Sequence, residues 1–375
     1  MNCKFLSNGL ALSYDQIIKP CCVFKHKSWD HTIDNTDLNN WFNSSTISHL
    51  TQELASGKFP EQCIRCEQHE SYDRGDSMRL NAKSSYGHYN KDDITLEIRP
   101  GNTCNFACQS CWPEASSRVS SYHKQAFGTT DIVSKRYTNF NFLNPISSRL
   151  RDIVLLGGEP FYDKNCLKFL QWMQEENLNA NLTLFTNGSV IDWEFIKNYT
   201  GKITVVVSLD AIGMPAEYIR FGTEWQIVKE NYEKLRDTKH INTRVNITTS
   251  AYNFPFIGEL VEWLSEQWPE IVTFGRADQP HLGENIVPKD LVPEIVKSLN
   301  NAVEKVKNSN IVLHQIQNTS GALDSIANKL VTDEYNEELH VSFINQATKL
   351  DMVKNMFGED YDPYFKKITN KILTR

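Results

Sequence analysis

From residue 95 to residue 274 the chain repeats one pattern, a short apolar run followed by a longer segment with apolar residues at helical spacing. The runs are Thr95 to Arg99, Asp152 to Leu156, Asn181 to Thr186, Ile203 to Leu209, Arg244 to Thr249 and Ile271 to Phe274. Helix-like segments between them include Lys164 to Gln174, Ile191 to Tyr199, Trp225 to Leu235 and Phe256 to Trp268. Such alternation predicts an α/β fold with a parallel sheet and right-handed crossovers. Six strand–helix units fit a partial, TIM-like (β/α)6 barrel better than a closed eight-stranded one. From Pro288 onward the pattern turns mainly helical, with Leu291 to Val306 and the stretch around Leu350, Val353 and Met356 at helical spacing.

In parallel α/β architectures reacting groups gather where strands end at their carboxyl side. The first strand is followed by Cys104-Asn105-Phe106-Ala107-Cys108-Gln109-Ser110-Cys111. Three thiolates in one loop can converge on a small inorganic centre, and three cannot saturate a cube of four irons, so one iron stays open to an exogenous ligand. The second strand runs into Gly157-Gly158-Glu159-Pro160, in which glycines permit close backbone approach, proline fixes the turn, and Glu159 can accept hydrogen bonds from an ammonium group. The third strand ends at Thr186-Asn187-Gly188, a polar tip that either faces the pocket or only turns the chain. The fourth ends with Ser208 and Asp210 on one side, polar groups at the strand's carboxyl end that also suit a helix N-cap. Tyr218-Ile219-Arg220-Phe221-Gly222 follows, its arginine suited to a carboxylate of cofactor or substrate, or to a surface ion pair. The fifth strand carries Asn246, Thr248 and Ser250 on one face, and Arg276 with Asp278 after the sixth are candidates for substrate contact. Cys166 sits in a helical segment and reads as a core thiol.

Residues 1–90 hold five of the nine cysteines. Cys3, Cys21 or Cys22, Cys63 and Cys66 supply a set of four, enough to close the shell of an Fe–S cluster or a zinc ion. Adjacency does not say which of Cys21 and Cys22 points at the metal. Helix-spaced Leu38, Trp41, Phe42, Leu50 and Leu54 separate the two cysteine-bearing loops, and the polar stretch from Asp73 to Asp93 reads as a connector.

With 375 residues, 40% of them hydrophobic and 23% charged, the composition is that of a soluble globular chain. No apolar run reaches membrane-spanning length and no signal-peptide core opens the sequence, so a cytoplasmic location is expected. In that reducing compartment clustered thiols are metal ligands sooner than disulfides. A net charge of −7 gives no electrostatic footprint for nucleic acid; Lys25-His26-Lys27 is one local basic patch. The chain has no Walker loop, no Gly-x-Gly-x-x-Gly opening a helix and no His-Glu-x-x-His, which disfavours a nucleotidase, a dehydrogenase and a zinc hydrolase.

The Cys-x3-Cys-x2-Cys spacing of Cys104, Cys108 and Cys111 after the first strand, with Gly157-Gly158-Glu159-Pro160 after the second, resembles the radical S-adenosylmethionine (radical SAM) enzymes. Their usual aromatic before the third cysteine is missing: Ser110 stands there, and Trp112 follows Cys111. The N-terminal cysteine layout resembles the Twitch and SPASM auxiliary-cluster domains. The resemblance implies a cysteine-rich auxiliary-cluster domain over 1–90, a radical SAM partial barrel over 91–285 and a helical extension over 286–375. It implies a 4Fe-4S cluster on Cys104, Cys108 and Cys111, with S-adenosylmethionine on its open iron. Gly157, Gly158 and Glu159 would hold the cofactor's amino group, and Ser208, Asp210 and Thr248 its other polar parts. An auxiliary Fe–S cluster would sit on the N-terminal cysteines. The implied activity is reductive cleavage of S-adenosylmethionine to a 5′-deoxyadenosyl radical that takes a hydrogen atom from a peptide or protein side chain, with a flavodoxin or ferredoxin as electron donor. A sugar, nucleotide or other small metabolite is the alternative substrate, and a non-catalytic zinc-binding interaction protein the alternative of another class.

Overall fold

The computed structural model describes residues 1–25, 29–71, 77–86, 90, 92–128, 137, 139–269 and 271–370. His26 and Lys27 of the basic patch, and Gly75 and Gly87 of the expected connector, lie outside them. Among the described residues there are eight strands: β1 (Gly9–Leu12), β2 (Ile18–Lys19), β3 (Ile94–Ile98), β4 (Leu150–Leu155), β5 (Asn181–Thr186), β6 (Ile203–Ser208), β7 (Ile241–Thr249) and β8 (Ile271–Arg276). The strands β3 to β8 are the six expected ones, each within a few residues, and the α/β class with a helical C-terminal part is borne out. The chain divides into two compact units, one of Met1–Asn102, Val133–Leu184 and Asp192–Ile203, the other of Thr103–Ile132, Phe185–Ile191 and Thr204–Arg375.

In the first unit β1 runs parallel to β3, with Leu10 opposite Leu96, and antiparallel to the short β2. The strands β3, β4 and β5 continue in parallel, aligning Leu96 with Ile153 and Ile153 with Leu182. One face of these strands carries Leu96, Ile98, Ile153, Leu155, Leu182 and Leu184, each at most 1% exposed. The other face is polar: Glu97 and Asp152 are half-buried, and Asn181 donates to Asp152 at 2.9 Å. The helix Lys164–Glu175 begins at Asp163, whose carboxylate caps the N–H of Asn165 at 2.7 Å, and buries Cys166, Phe169, Leu170, Trp172 and Met173. Phe169 packs edge-on to Phe140 at 5.1 Å and stacks on Trp172 at 5.5 Å between ring centroids.

Two local expectations change. Residues 78–86 form a helix, Met78–Tyr86, inside the stretch read as a connector. Ser77 nucleates it, its hydroxyl accepting from the Leu80 N–H at 3.2 Å, and Arg79 ties it to Glu70 through a two-point ion pair. Tertiary anchoring overrides a polar, weakly periodic sequence. The stretch from Leu38 to Lys58 is a 3-10 turn, Trp41–Asn43, and a helix, Ser45–Ala55, which Ser44 caps.

In the second unit β7 alternates strictly, with Ile241, Thr243, Val245, Ile247 and Thr249 buried and Asn242, Arg244, Asn246 and Thr248 half-buried. It pairs in parallel with β8, Ile247 opposite Phe274. The longer helices of the unit include Trp225–Asp237, Phe254–Glu266, Val292–Lys307, Leu313–Thr332 and Glu337–Lys354. Among the described residues no helix is long and apolar enough to cross a membrane.

Phe169→Ala tests the first unit's core. It is expected to cost about 3–5 kcal/mol of unfolding free energy in urea denaturation, because it opens a cavity among rings that cannot collapse into it.

Candidate iron–sulfur and cofactor site

The cysteine loop of the second unit is fixed by main-chain bonds before any ligand is considered. The N–H of Ala107 donates to the Phe221 carbonyl at 2.8 Å, and that of Gln109 to the Ile219 carbonyl at 2.7 Å. Cys108 is thus flanked by two bonds to the segment after β6, much as in a strand pair. Gly222 closes this approach with φ of +105°, and a Cβ there would stand 2.9 Å from the Asn105 carbonyl and 3.1 Å from the Phe106 ring. Only glycine meets both demands. Arg118 donates to the Asn105 carbonyl, and Ser116 to that of Phe106 at 3.1 Å.

The polar tip after β5 faces the same loop. Asn187 donates to the Asn105 side chain at 2.9 Å and lies 3.9 Å from the Cys104 sulfur; Asn105 donates to Ser189 at 2.8 Å. The N–H of Phe106 also points at the Cys104 sulfur, at 3.4 Å. Donors aimed at cysteine sulfur are among the levers by which proteins set Fe–S properties.

Arg220 lies within electrostatic reach of Cys108 and Cys104. It is paired with Asp210 at 2.7 Å, and the other Asp210 oxygen accepts from the Thr248 N–H at 2.8 Å. Burial alone would depress the guanidinium, but the thiols and Asp210 outweigh it and hold Arg220 above its usual range. Asp210 is therefore engaged with Arg220 and the β7 backbone, while Ser208 stays half-buried at the end of β6 and the Thr248 hydroxyl accepts from Asn246 at 3.4 Å. Ser250 is fully buried. Arg276 pairs with Glu284, and Asp278 is exposed.

The helix Glu337–Lys354 reaches the loop from a part of the chain in which the sequence offered no chemistry. The Lys354 ammonium donates to the Ala107 carbonyl at 3.1 Å and to the Gln109 side chain at 2.9 Å, and sits 5.5 Å from the centre of the Phe221 ring. Gln109 in turn donates to Asp351 at 3.3 Å, and Tyr218 donates to the same carboxylate at 3.0 Å. Burial lowers Lys354 to about 8 and raises Asp351 to about 6. The polar, helix-spaced tail gave no signal for this, because its partners are 247 residues away.

Cys104, Cys108 and Cys111 are half-buried. Burial pushes the Cys108 thiol up, opposed by Arg220; burial, then the neighbouring Cys108 and Cys104, push Cys111 up. Among the described residues no three Cys, His, Asp or Glu side chains are drawn around one metal-ion position. Three thiols on an anchored loop, served by N–H donors, fit by their number and chemistry the sulfur-rich surround of an Fe–S cluster.

The Gly157-Gly158-Glu159 turn belongs to the first unit. A Cβ at Gly157 would press at 3.0 Å on both the Cys166 sulfur and the Gly101 carbonyl, so the turn passes β3 closely. Glu159 is fully buried; its carbonyl accepts from the Asp163 N–H at 2.8 Å.

The same unit gathers Cys3, Cys21, Cys63 and Cys66 around one narrow cavity of about 20 Å³ with apolar walls from Phe5, Phe24, Phe59 and Met78. Burial drives the Cys21 thiol well up, with Cys22, Cys3, Cys63 and Cys66 adding to it. Cys22 lines a different cavity together with Glu97; burial, then the Glu97 carboxylate, push its thiol up to about 12. The structure thus brings Cys21 rather than Cys22 to the other three. Four thiols lining one apolar cavity supply the ligand number of an Fe–S cluster or a zinc ion, although they are not drawn in around a single metal-ion position, and binding either would release the thiol protons.

Residues 101–211 match the family described as a 4Fe-4S single cluster domain. The matched stretch contains Cys104, Cys108 and Cys111 and the Gly157-Gly158-Glu159-Pro160 turn. A search of the curated proteins finds no match. Among solved structures, native anSMEcpe with bound AdoMet is similar at 17% identity over 56% of this chain and 59% of that one, with a TM-score of 0.40. SuiB of Streptococcus suis bound to S-adenosylmethionine is similar at 14% identity over 80% of this chain and 68% of that one, with a TM-score of 0.37. This chain spans about three fifths of the length of the first of these.

Asp351 makes a pH prediction. Its folded pKa of about 6 lies above the value near 3.9 of a free aspartate, so its contribution is full below about pH 4 and is lost as pH rises toward 6. In urea melts the wild type is expected to lose up to about 3 kcal/mol over that window relative to Asp351→Asn.

Proposed function

We propose that the chain is a radical SAM enzyme acting on a peptide or protein side chain in the cytoplasm. The observation that carries this reading is the anchored Cys104–Cys108–Cys111 loop, in a stretch that matches a 4Fe-4S cluster domain. Cys104, Cys108 and Cys111 would hold the cluster. Glu159, in the Gly-Gly-Glu-Pro turn, is the candidate acceptor for the amino group of S-adenosylmethionine. When bound, the cluster and S-adenosylmethionine supply reductive cleavage of the sulfonium and hydrogen-atom abstraction from substrate.

The chain's own residues have identifiable tasks. Ala107 and Gln109 fix the loop through backbone bonds, so that the thiols keep their spacing with or without ligand. Arg220 and Lys354 place positive charge beside the thiols, which favours the deprotonated forms that bind iron. Asp210 holds Arg220 in place. In the first unit Cys3, Cys21, Cys63 and Cys66 would hold an auxiliary cluster that exchanges electrons with substrate or with a flavodoxin- or ferredoxin-type donor. The peptide substrate is proposed on the likeness of this cysteine layout to auxiliary-cluster proteins that modify ribosomally made peptides.

The test is anaerobic reconstitution with iron and sulfide, followed by dithionite and S-adenosylmethionine. About eight irons per chain, four for each cluster, and 5′-deoxyadenosine by chromatography are expected. Zinc without iron, and no product, would point to a binding protein. Cys108→Ala is expected to abolish 5′-deoxyadenosine while keeping about half the iron. Cys63→Ala is expected to lower iron yet leave cleavage in the absence of substrate intact.

A further inference from the structure

The first unit holds a second cavity that none of these roles uses. It measures about 130 Å³ and is lined by Ser13, Asp15, Lys19, Cys22, Glu97 and Arg99, among others, along the polar side of β1 and β3. Most of its charges are accounted for. Asp15 accepts from the Ser13 hydroxyl and from the Ile17 N–H at 3.1 Å. Glu97 accepts from Arg99 at 3.3 Å. Lys19 differs. It is only 9% exposed, and its ammonium has no hydrogen bond or ion pair among the described residues. Asp15 and Glu97 of the same wall are engaged with other donors, which leaves the Lys19 ammonium open to a partner from outside the chain.

We propose that this cavity is a binding subsite for a carboxylate, with Lys19 as its counter-charge and Arg99, oriented by Glu97, as a second donor. Size and charge choose the ligand. At about 30 Å³ per water, the space equals about four waters, which suits an acetate-like head or the tip of an acidic side chain. Asp15 and Glu97 in the wall would repel a phosphate dianion more than a carboxylate monoanion. The ligand is an acidic peptide side chain or a small free carboxylic acid, which share this chemistry. The site needs no bound cluster, so it stands or falls separately from the proposed radical reaction.

Saturation-transfer NMR on the full-length chain tests it, with propionate as probe and ionic strength held constant with chloride. The wild type is expected to give a saturable signal that inorganic phosphate does not displace. Lys19→Met is expected to weaken it on the order of tenfold or more, as loss of a charged hydrogen bond does, and Lys19→Arg to retain it. Lys19→Met is also expected to melt no lower than the wild type, since an unpaired buried charge has gone. A second arm compares acetyl-Gly-Glu-Gly-amide with its Gln counterpart: selective binding of the Glu peptide, tighter than propionate, assigns the site to a peptide, and the reverse order to a free acid. No saturable propionate signal in the wild type, or equal displacement by phosphate, overturns the proposal without recourse to any variant. An undiminished signal in Lys19→Met overturns it as well.

Discussion

The two backbone bonds that flank Cys108, from Ala107 to Phe221 and from Gln109 to Ile219, are the constraint on which the second unit's site depends. A free loop with three thiols would have to order itself on binding and give up conformational entropy for every residue fixed. Here the ordering is already built into the fold, and further elements reinforce it. Asn187 at the tip of β5, Arg118 in the helix after the loop, Gly222 behind it and Lys354 on the last long helix each touch the loop backbone or its side chains. The helix Glu337–Lys354 is thereby part of the site's foundation.

Electrostatics follow from the same placement. Burial holds the thiols in their protonated, neutral form, whereas iron takes thiolates. Arg220 and Lys354 pull the other way, and both are buried cations stabilised by neighbours rather than by water. Asp210 fixes the first, and Asp351 interacts with the second across Gln109. The positive charge is therefore positioned for the state in which the thiols have lost their protons.

What the sequence made legible was local and periodic. The six strands β3 to β8 emerged because each is a short apolar run with a helix-spaced segment after it. The cysteine loop and the Gly-Gly-Glu-Pro turn emerged because their spacing carries chemistry. The strand β1 is not among those six runs. Its four residues are all buried, and its parallel pairing with β3 joins positions 85 or more residues apart, which no local pattern encodes. Lys354 and Asp351 read as ordinary helix charges, since nothing nearby in sequence marks their partners. The choice between Cys21 and Cys22 was illegible by adjacency and becomes plain when the structure sets them against different cavities.

The central claim is that Cys104, Cys108 and Cys111 hold a 4Fe-4S cluster with one iron open. The most direct test is electron paramagnetic resonance on reconstituted, dithionite-reduced protein in which Cys3, Cys63 and Cys66 are replaced by Ala, so that only this loop carries a cluster. A reduced 4Fe-4S signal whose shape changes when S-adenosylmethionine is added is the expected result. No signal, or one indifferent to S-adenosylmethionine, would contradict the account.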